Sequence, residues 1–209
     1  YFVLRQITLN NLFGVDLMEE AAEICKLRLF LKLIAQLDDA EQIEPLPDLD
    51  FNIRSGNSLV GFVSNTDLNS LDSREFDLTG AAARITEEAG ITATCYRHFN
   101  KMQSGRSEAA ELSKVKEELR TRLAGVAAEA DELLAWQYGI PKNRPRSFAT
   151  WRRDHQPFHW LTEFFGVMHS GGFDVVVGNP PYLARTKIFY RAAPPGENVF
   201  PDIYGHFVL

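Results

Sequence analysis

Metal and covalent chemistry have little to work with in this sequence. Its 209 residues include only two cysteines, Cys25 and Cys95, which stand far apart, and no Cys-x-x-Cys pair occurs. The five histidines, His98, His155, His159, His169 and His206, do not fall at metal-ligand spacing and read as surface or core residues. Reduced thiols in a cytoplasmic protein follow. No apolar run is long enough to cross a bilayer, and nothing at the start reads as a secretory signal, so no membrane partner is expected. The stretch Ser55–Gly61 has glycines but lacks the Gly-Lys-Ser/Thr ending of a phosphate-binding loop. Internal repeats and low-complexity segments are also missing. An excess of positive charge is lacking too: the formal net charge is −6, which weighs against a nucleic-acid partner.

The charge is unevenly spread, however. Acidic residues gather in Asp38–Glu44 and Glu108–Glu132, while Lys142, Arg144, Arg146, Arg152 and Arg153 form a basic cluster. Arg185, Lys187 and Arg191 form a second one, just behind an Asn-Pro-Pro-Tyr run. The ordinary reading of such clusters is solvated surface. The second lies beside a candidate active site, where phosphate contact is an equal alternative.

Hydrophobic patterning predicts a short buried strand over Asn11–Val15 with Asp16 at its carboxyl end. A helix from about Met18 to Leu37 follows, with apolar rows at Ile24, Leu27, Leu31 and Ile34 and at Ala22, Leu29 and Leu33. Glu19 and Glu20 suit its first turn. Phe51–Arg54 reads as a second strand running into the turn Ser55-Gly56-Asn57-Ser58. The apolar series Leu112, Val115, Leu119, Leu123, Val126, Ala130 and Leu133 predicts one long helix over Glu108–Trp136, a possible coiled-coil arm. Trp136, Trp151 and Trp160 read as core anchors. Phe173–Val177 is a compact apolar strand introduced by Gly171-Gly172 and closed by Gly178. Strand, helix, strand, helical excursion and strand describe a parallel α/β sheet, in which ligands bind beyond the carboxyl ends of strands. Asp16, Asn57 and Asn179 each follow such an end.

Asn179-Pro180-Pro181-Tyr182 carries the chemistry. An exocyclic amine conjugated to an aromatic ring is a poor nucleophile. Hydrogen-bond acceptors against its two hydrogens help the nitrogen turn pyramidal as it is alkylated. The side-chain oxygen of Asn179 and the main-chain carbonyl of Pro180 are two such acceptors, held rigid because each proline fixes its own φ and restricts its predecessor. Rigid acceptors aimed at developing positive charge need little reorganisation. Tyr182 offers a flat face for an extruded base. The bland reading is a proline turn with a packing tyrosine, but the position directly after Phe-Asp-Val-Val-Val-Gly counts against it.

Phe173-Asp174-Val175-Val176-Val177-Gly178-Asn179-Pro180-Pro181-Tyr182 resembles the catalytic motif of methyltransferases acting on adenine in DNA. A narrower likeness comes from Asn11–Asp16 with Ala21, Ala22 and Lys26–Leu29. These are similar to the second motif of type IIG restriction–modification methyltransferases and their phage-exclusion relatives. Phe51–Leu59 resembles their third motif. Phe158-His159-Trp160 with Glu163-Phe164-Phe165 resembles the approach to their catalytic strand, and Asp202–Phe207 their fifth motif.

The resemblance implies a Rossmann-like, S-adenosylmethionine-dependent methyltransferase sheet with a helical insertion between the third and fourth motif strands. Residues 1–67 would be partial core, 68–165 the mostly helical insertion, and 166–209 core with the catalytic motif. It further implies that Asp16 bonds the ribose of S-adenosyl-L-methionine, that Asn57 and Phe207 contact its adenine, and that Asn179, Pro180, Pro181 and Tyr182 hold the target base. Many members carry Asp where Asn57 stands. The implied activity is site-specific adenine-N6 methylation of double-stranded DNA, in restriction–modification or phage defence, with a nuclease attached or separate.

Two departures qualify this. The glycine-containing cofactor loop should precede Asp16, yet Tyr1–Asn10 has no glycine. A Pro-Asp…Glu-x-Lys nuclease arrangement is not present in the sequence. The sequence thus reads as a piece truncated at both ends and inactive alone. Neither cysteine follows a proline, so cytosine-C5 chemistry has no nucleophile. Asn-Pro-Pro-Tyr also serves methyltransferases of protein glutamine and of RNA, and a cofactor-free module binding DNA or a partner is a third possibility.

Overall fold

In the computed structural model, residues 1–39, 47–69, 78–105, 108–140 and 143–178 are described. They fall into two compact units. The first comprises Tyr1–Gly56 with Thr94–Thr121, the second Asn57–Ala93 with the chain from Arg122 onward.

The first unit contains the expected strand–helix–strand, with shifted bounds. Strand β1 is Gly14–Asp16 and β2 is Ile53–Ser55, paired in parallel with Gly14 opposite Ile53 and Asp16 opposite Ser55. Asp16 is therefore the last residue of its strand rather than the one after it. Helix α2, Glu19–Ile34, crosses between them and ends three residues earlier than its apolar rhythm suggests. Of its two apolar rows, the one of Ala22, Leu29 and Leu33 is the covered one: Ala22 and Leu29, with Cys25, pack with Leu9, Leu49 and Ile53, and Leu33 is buried. In the other, Ile24, Leu27 and Leu31 are 56–57% exposed and Ile34 is half-buried. Periodicity marks both rows equally; only packing chooses between them. No element is foreseen before Asn11, but Phe2–Asn10 forms helix α1, which buries Arg5, Thr8 and Leu9.

Asn52 holds this unit together. It is 1% exposed, and its Nδ2 donates to the carbonyls of Leu9 (2.9 Å) and Leu12 (3.1 Å). Its Oδ1 accepts from the Tyr96 hydroxyl at 2.8 Å. The amide thereby ties the end of α1 and the approach to β1 to the long helix that carries Tyr96, which is how a buried amide becomes tolerable.

Two long helices follow, α4 (Leu78–Ser104) and α5 (Ala109–Gln137), after the short α3 (Asn65–Asn69). The α5 bounds lie within one residue of those its heptad-like rhythm predicts. Within the second unit α4 and α5 run antiparallel, with Arg84 bonded to Glu129 (2.8 Å) and Arg122 near Glu88 (3.7 Å). Ala81, Ala82, Ile85 and Ala89 meet Val126, Ala130, Leu133 and Leu134, joined by Val60, Phe62, Leu68, Trp151 and Leu161. The small residues allow close approach, and Trp151 is a core anchor as expected. Helix α6, Pro145–His155, begins with proline at its first position, where the missing N–H costs nothing. The short helices α7 (Trp160–Glu163) and α8 (Phe165–His169) complete the unit.

The expectation of a strand over Phe173–Val177 is not met. The segment makes no ladder among the described residues, and Val175, Val176 and Val177 are 76, 53 and 89% exposed. A parallel strand has no hydrogen bonds of its own, so an apolar run becomes one only beside another strand.

Candidate functional site

The site residues inferred from the sequence divide between the units and the undescribed segments. Asp16, in the first unit, is exposed at the end of β1. Its Oδ1 accepts a hydrogen bond from the Met18 amide at 2.9 Å, and its carbonyl accepts from the Gly56 amide at 2.8 Å. One carboxylate oxygen thus organises the approach to α2 by accepting from the backbone amide of the helix's N-cap residue, Met18. The second oxygen makes no hydrogen bond with a described residue.

Asn57 opens the second unit and is buried. Its amide N–H donates to the Gln156 carbonyl (2.7 Å), its Oδ1 accepts from the Leu59 N–H (3.2 Å), and it forms a parallel bridge with Pro157. The carbonyl of Val60 accepts from the Phe158 amide (2.8 Å) and that of Phe62 from the Leu161 amide (3.1 Å). The Trp160 indole donates to the Ser58 carbonyl at 3.0 Å. Two stretches singled out separately in the sequence, Asn57–Leu59 and Phe158–Trp160, therefore lie side by side. The contact is so close at Gly61, where φ is +154°, that a Cβ would fall on the Phe158 carbonyl.

His159 locks this arrangement. It is 1% exposed, stacks on Phe62 at 5.2 Å, and its Nδ1 accepts the Phe62 amide proton at 3.2 Å. A ring nitrogen that accepts carries no proton, so Nε2 is the protonated one, and it donates to Asp131 Oδ1 on α5 at 3.0 Å. The other carboxylate oxygen of Asp131 meets Arg152 of α6 at 2.7 Å. His159 is a fully engaged core histidine.

The approach to the Asn-Pro-Pro-Tyr run is also built. Gly171 and Gly172 sit at φ +113° and +93°, the left-handed region in which glycine closes helices, and the Gly172 amide bonds the Val167 carbonyl at 3.0 Å to end α8. The reversed chain sets the Phe173 ring edge-on to Trp160 and Phe164, both at 5.9 Å, and these in turn pack with Phe158. Asp174–Gly178 follows without regular secondary structure, beginning with a bend at Asp174. Asn179, Pro180, Pro181, Tyr182 and Phe207 lie outside the described residues, as do Lys142, Arg185, Lys187 and Arg191.

Two features escaped sequence reading. Asn52 looked like part of a strand; its signal is a polar residue set between Phe51 and Ile53 at an inward position. The second is an ionic knot in the first unit. Asp50 receives Lys26 (2.8 Å), Lys116 (2.6 Å) and Arg120 (2.5 Å), and Lys116 also pairs with Asp48. Burial by itself would raise the Asp50 carboxyl, but the hydrogen bonds from Lys116 and Lys26 outweigh it and hold it well below the usual carboxylate range. The same contacts push Lys26 and Lys116 up, against the opposing effect of burial.

Comparison with known proteins adds a family. The sequence model described as "Eco57I restriction-modification methylase" matches residues 10–209. A protein of Methanocaldococcus jannaschii, whose name gives it provisionally as a type II restriction enzyme and methyltransferase, is 29% identical over 99% of this chain. The chain spans 22% of that relative's length. No solved structure matches. No helix among the described residues is long and apolar enough to cross a membrane.

Proposed function

Because the chain belongs to the Eco57I restriction-modification methylase family, we propose that it is the catalytic portion of a DNA methyltransferase that modifies the N6 amine of adenine in duplex DNA. The observation that carries this reading is that the family match runs through Asn179-Pro180-Pro181-Tyr182, directly behind the segment anchored by Phe173. In the proposed reaction the target adenine leaves the duplex and stacks on Tyr182. Asn179 Oδ1 and the Pro180 carbonyl accept its two amine hydrogens, and Pro181 keeps the loop rigid. Acceptors fixed there favour a pyramidal nitrogen with its lone pair exposed.

S-adenosyl-L-methionine is the proposed methyl donor, and when bound it supplies an electrophilic methyl group. The side-chain chemistry of Asp16 and of Asn57, each taken by itself, suits it. Asp16 has an oxygen free for a ribose hydroxyl at a strand's carboxyl end, where ligands of parallel sheets gather. Asn57 has its backbone N–H committed to Gln156 and its Oδ1 accepting from Leu59, which leaves its side-chain Nδ2 to donate to a ring nitrogen of the cofactor adenine. Phe207 is proposed to cover that ring. In the same reading the sheet is Rossmann-like, and residues 68–165 form an insertion into a core made of 1–67 and 166–209. The DNA substrate implies a restriction–modification or phage-defence setting, with a nuclease elsewhere in the full-length protein or separate from it.

The test is transfer of labelled methyl from S-adenosylmethionine by the full-length protein, with the products digested to nucleosides. The expected result is label in N6-methyladenine, reduced at least about a hundredfold by Asn179→Ala, the size typical of losing one preorganised polar contact to a developing charge. Label in cytosine, RNA or protein glutamine overturns the adenine assignment. Absence of cofactor binding by the full-length protein favours instead a module that binds DNA or a partner without chemistry.

A further inference from the structure

We propose that the outward face of α6 contacts the phosphate backbone of the duplex through Arg144, Arg146 and Arg153. The inference rests on duplex DNA being the substrate, and it concerns a part of the chain to which neither the family match nor the motifs assign a role.

Helix α6 has two opposite faces. Phe148, Trp151 and His155, spaced three and four apart, form an aromatic stripe: Trp151 is 4% exposed, and it packs against Phe148 at 6.0 Å, His155 at 5.4 Å and Tyr138 at 5.5 Å. Across the helix, Arg146, Thr150 and Arg153 share the other face at the same spacing, with Arg144 at the N-cap and the small Ala149 between them, all exposed. The segment from Arg144 to His155 holds four arginines against one carboxylate, Asp154, in a chain whose net charge is −6.

The arginines are not equivalent. Arg152 is bound to the buried Asp131, so it belongs to the core lock. Arg153, with its side chain 76% exposed, pairs among the described residues with its neighbour Asp154, an exposed pair of little strength. Arg144 and Arg146 make no ion pair with any described residue. They sit at the positive end of the helix, where cations are disfavoured, and no acidic residue in the first turn offsets them. For the protein alone this is a poor arrangement; beside a polyanion it is a good one. From Arg146 to Arg153 the helix rises about 10 Å, close to the axial rise of three nucleotides of one strand. Rigid anchoring by the aromatic stripe keeps the cations in place, and the small residues between them let a backbone approach.

The test uses the full-length protein and a mixed-sequence duplex, with binding measured by fluorescence anisotropy across a salt series. Arg144→Gln/Arg146→Gln/Arg153→Gln is expected to weaken binding at least tenfold, equally for different duplex sequences, and to reduce the slope of log affinity against log salt by about 2–3, since each phosphate contact contributes about 0.9. The corresponding triple lysine variant retains most of the slope, because the charge and not the guanidinium shape is needed. Unchanged thermal stability and unchanged S-adenosylmethionine affinity in the glutamine variant separate the effect from misfolding. An unchanged slope in that variant overturns the proposal, and so does a loss confined to RNA. Wild-type protein that binds duplex through these arginines but transfers no methyl to it refutes the methylation reading alone. Wild-type protein that does not bind duplex at all refutes both.

Discussion

At position 61 the chain passes so close to Phe158 that only hydrogen fits on the α-carbon, and φ there lies where side chains are strained. Gly61→Ala is therefore expected to destabilise the second unit by about 2–4 kcal/mol, combining backbone strain with overpacking. A lower urea midpoint at unchanged denaturant sensitivity checks this; a midpoint equal to wild type rules the contact out as a constraint. The glycine is plain in the sequence, but its reason is a carbonyl nearly a hundred positions away. His159 teaches the same. Its identity and the lack of metal spacing around it were readable, whereas its protonated nitrogen is decided by the Phe62 amide and Asp131.

Among elements, α2, the loop before β2 and α5 are joined by the knot of Asp48 and Asp50 with Lys26, Lys116 and Arg120. The pH response follows from the direction of each shift. Asp50 is depressed in the folded chain, so its contribution is complete above the unfolded aspartate value near about 4 and fades as pH falls below it. Lys26 and Lys116 are raised, so theirs is complete below about 10.4 and fades as pH climbs through the higher folded values. Asp50→Asn should flatten the acid side of a stability-versus-pH curve between about pH 4 and 2 while lowering the neutral plateau. Parallel curves for wild type and variant would show that the carboxylate is not held low. Helix α5 was legible almost to the residue because seven apolar positions in rhythm overwhelm end effects. For α2 the rhythm identified the helix but not which row is covered, since two rows were apolar and the sheet touches one.

For the molecule as a whole, the two units have separate cores. Leu9, Ala22, Leu49 and Ile53 serve one; Val60, Phe62 and the α4–α5 alanines and leucines serve the other. A lesion in one core should loosen that unit first. Asn52→Ala, which removes the hydrogen bonds to the Tyr96 hydroxyl and to the carbonyls of Leu9 and Leu12 at a cost of about 2–3 kcal/mol, is expected to speed amide exchange in β1, β2 and α1. Protection around Trp151 and Leu161 should stay intact. Uniform acceleration across both units, followed by exchange mass spectrometry, would mean that they unfold as one.

By itself the sequence determined what depends on neighbours along the chain: the strand–helix–strand opening and the long α5. Only tertiary structure decided what depends on distant partners. That Phe173–Val177 pairs with no described strand, that Asn57–Leu59 lies against Phe158–Trp160, and that α6 turns its aromatics inward and its arginines outward are facts of contact. Periodicity reports how often a residue type recurs on a face. Which face is covered, and by what, is set by hydrogen bonds and packing between residues far apart in the chain.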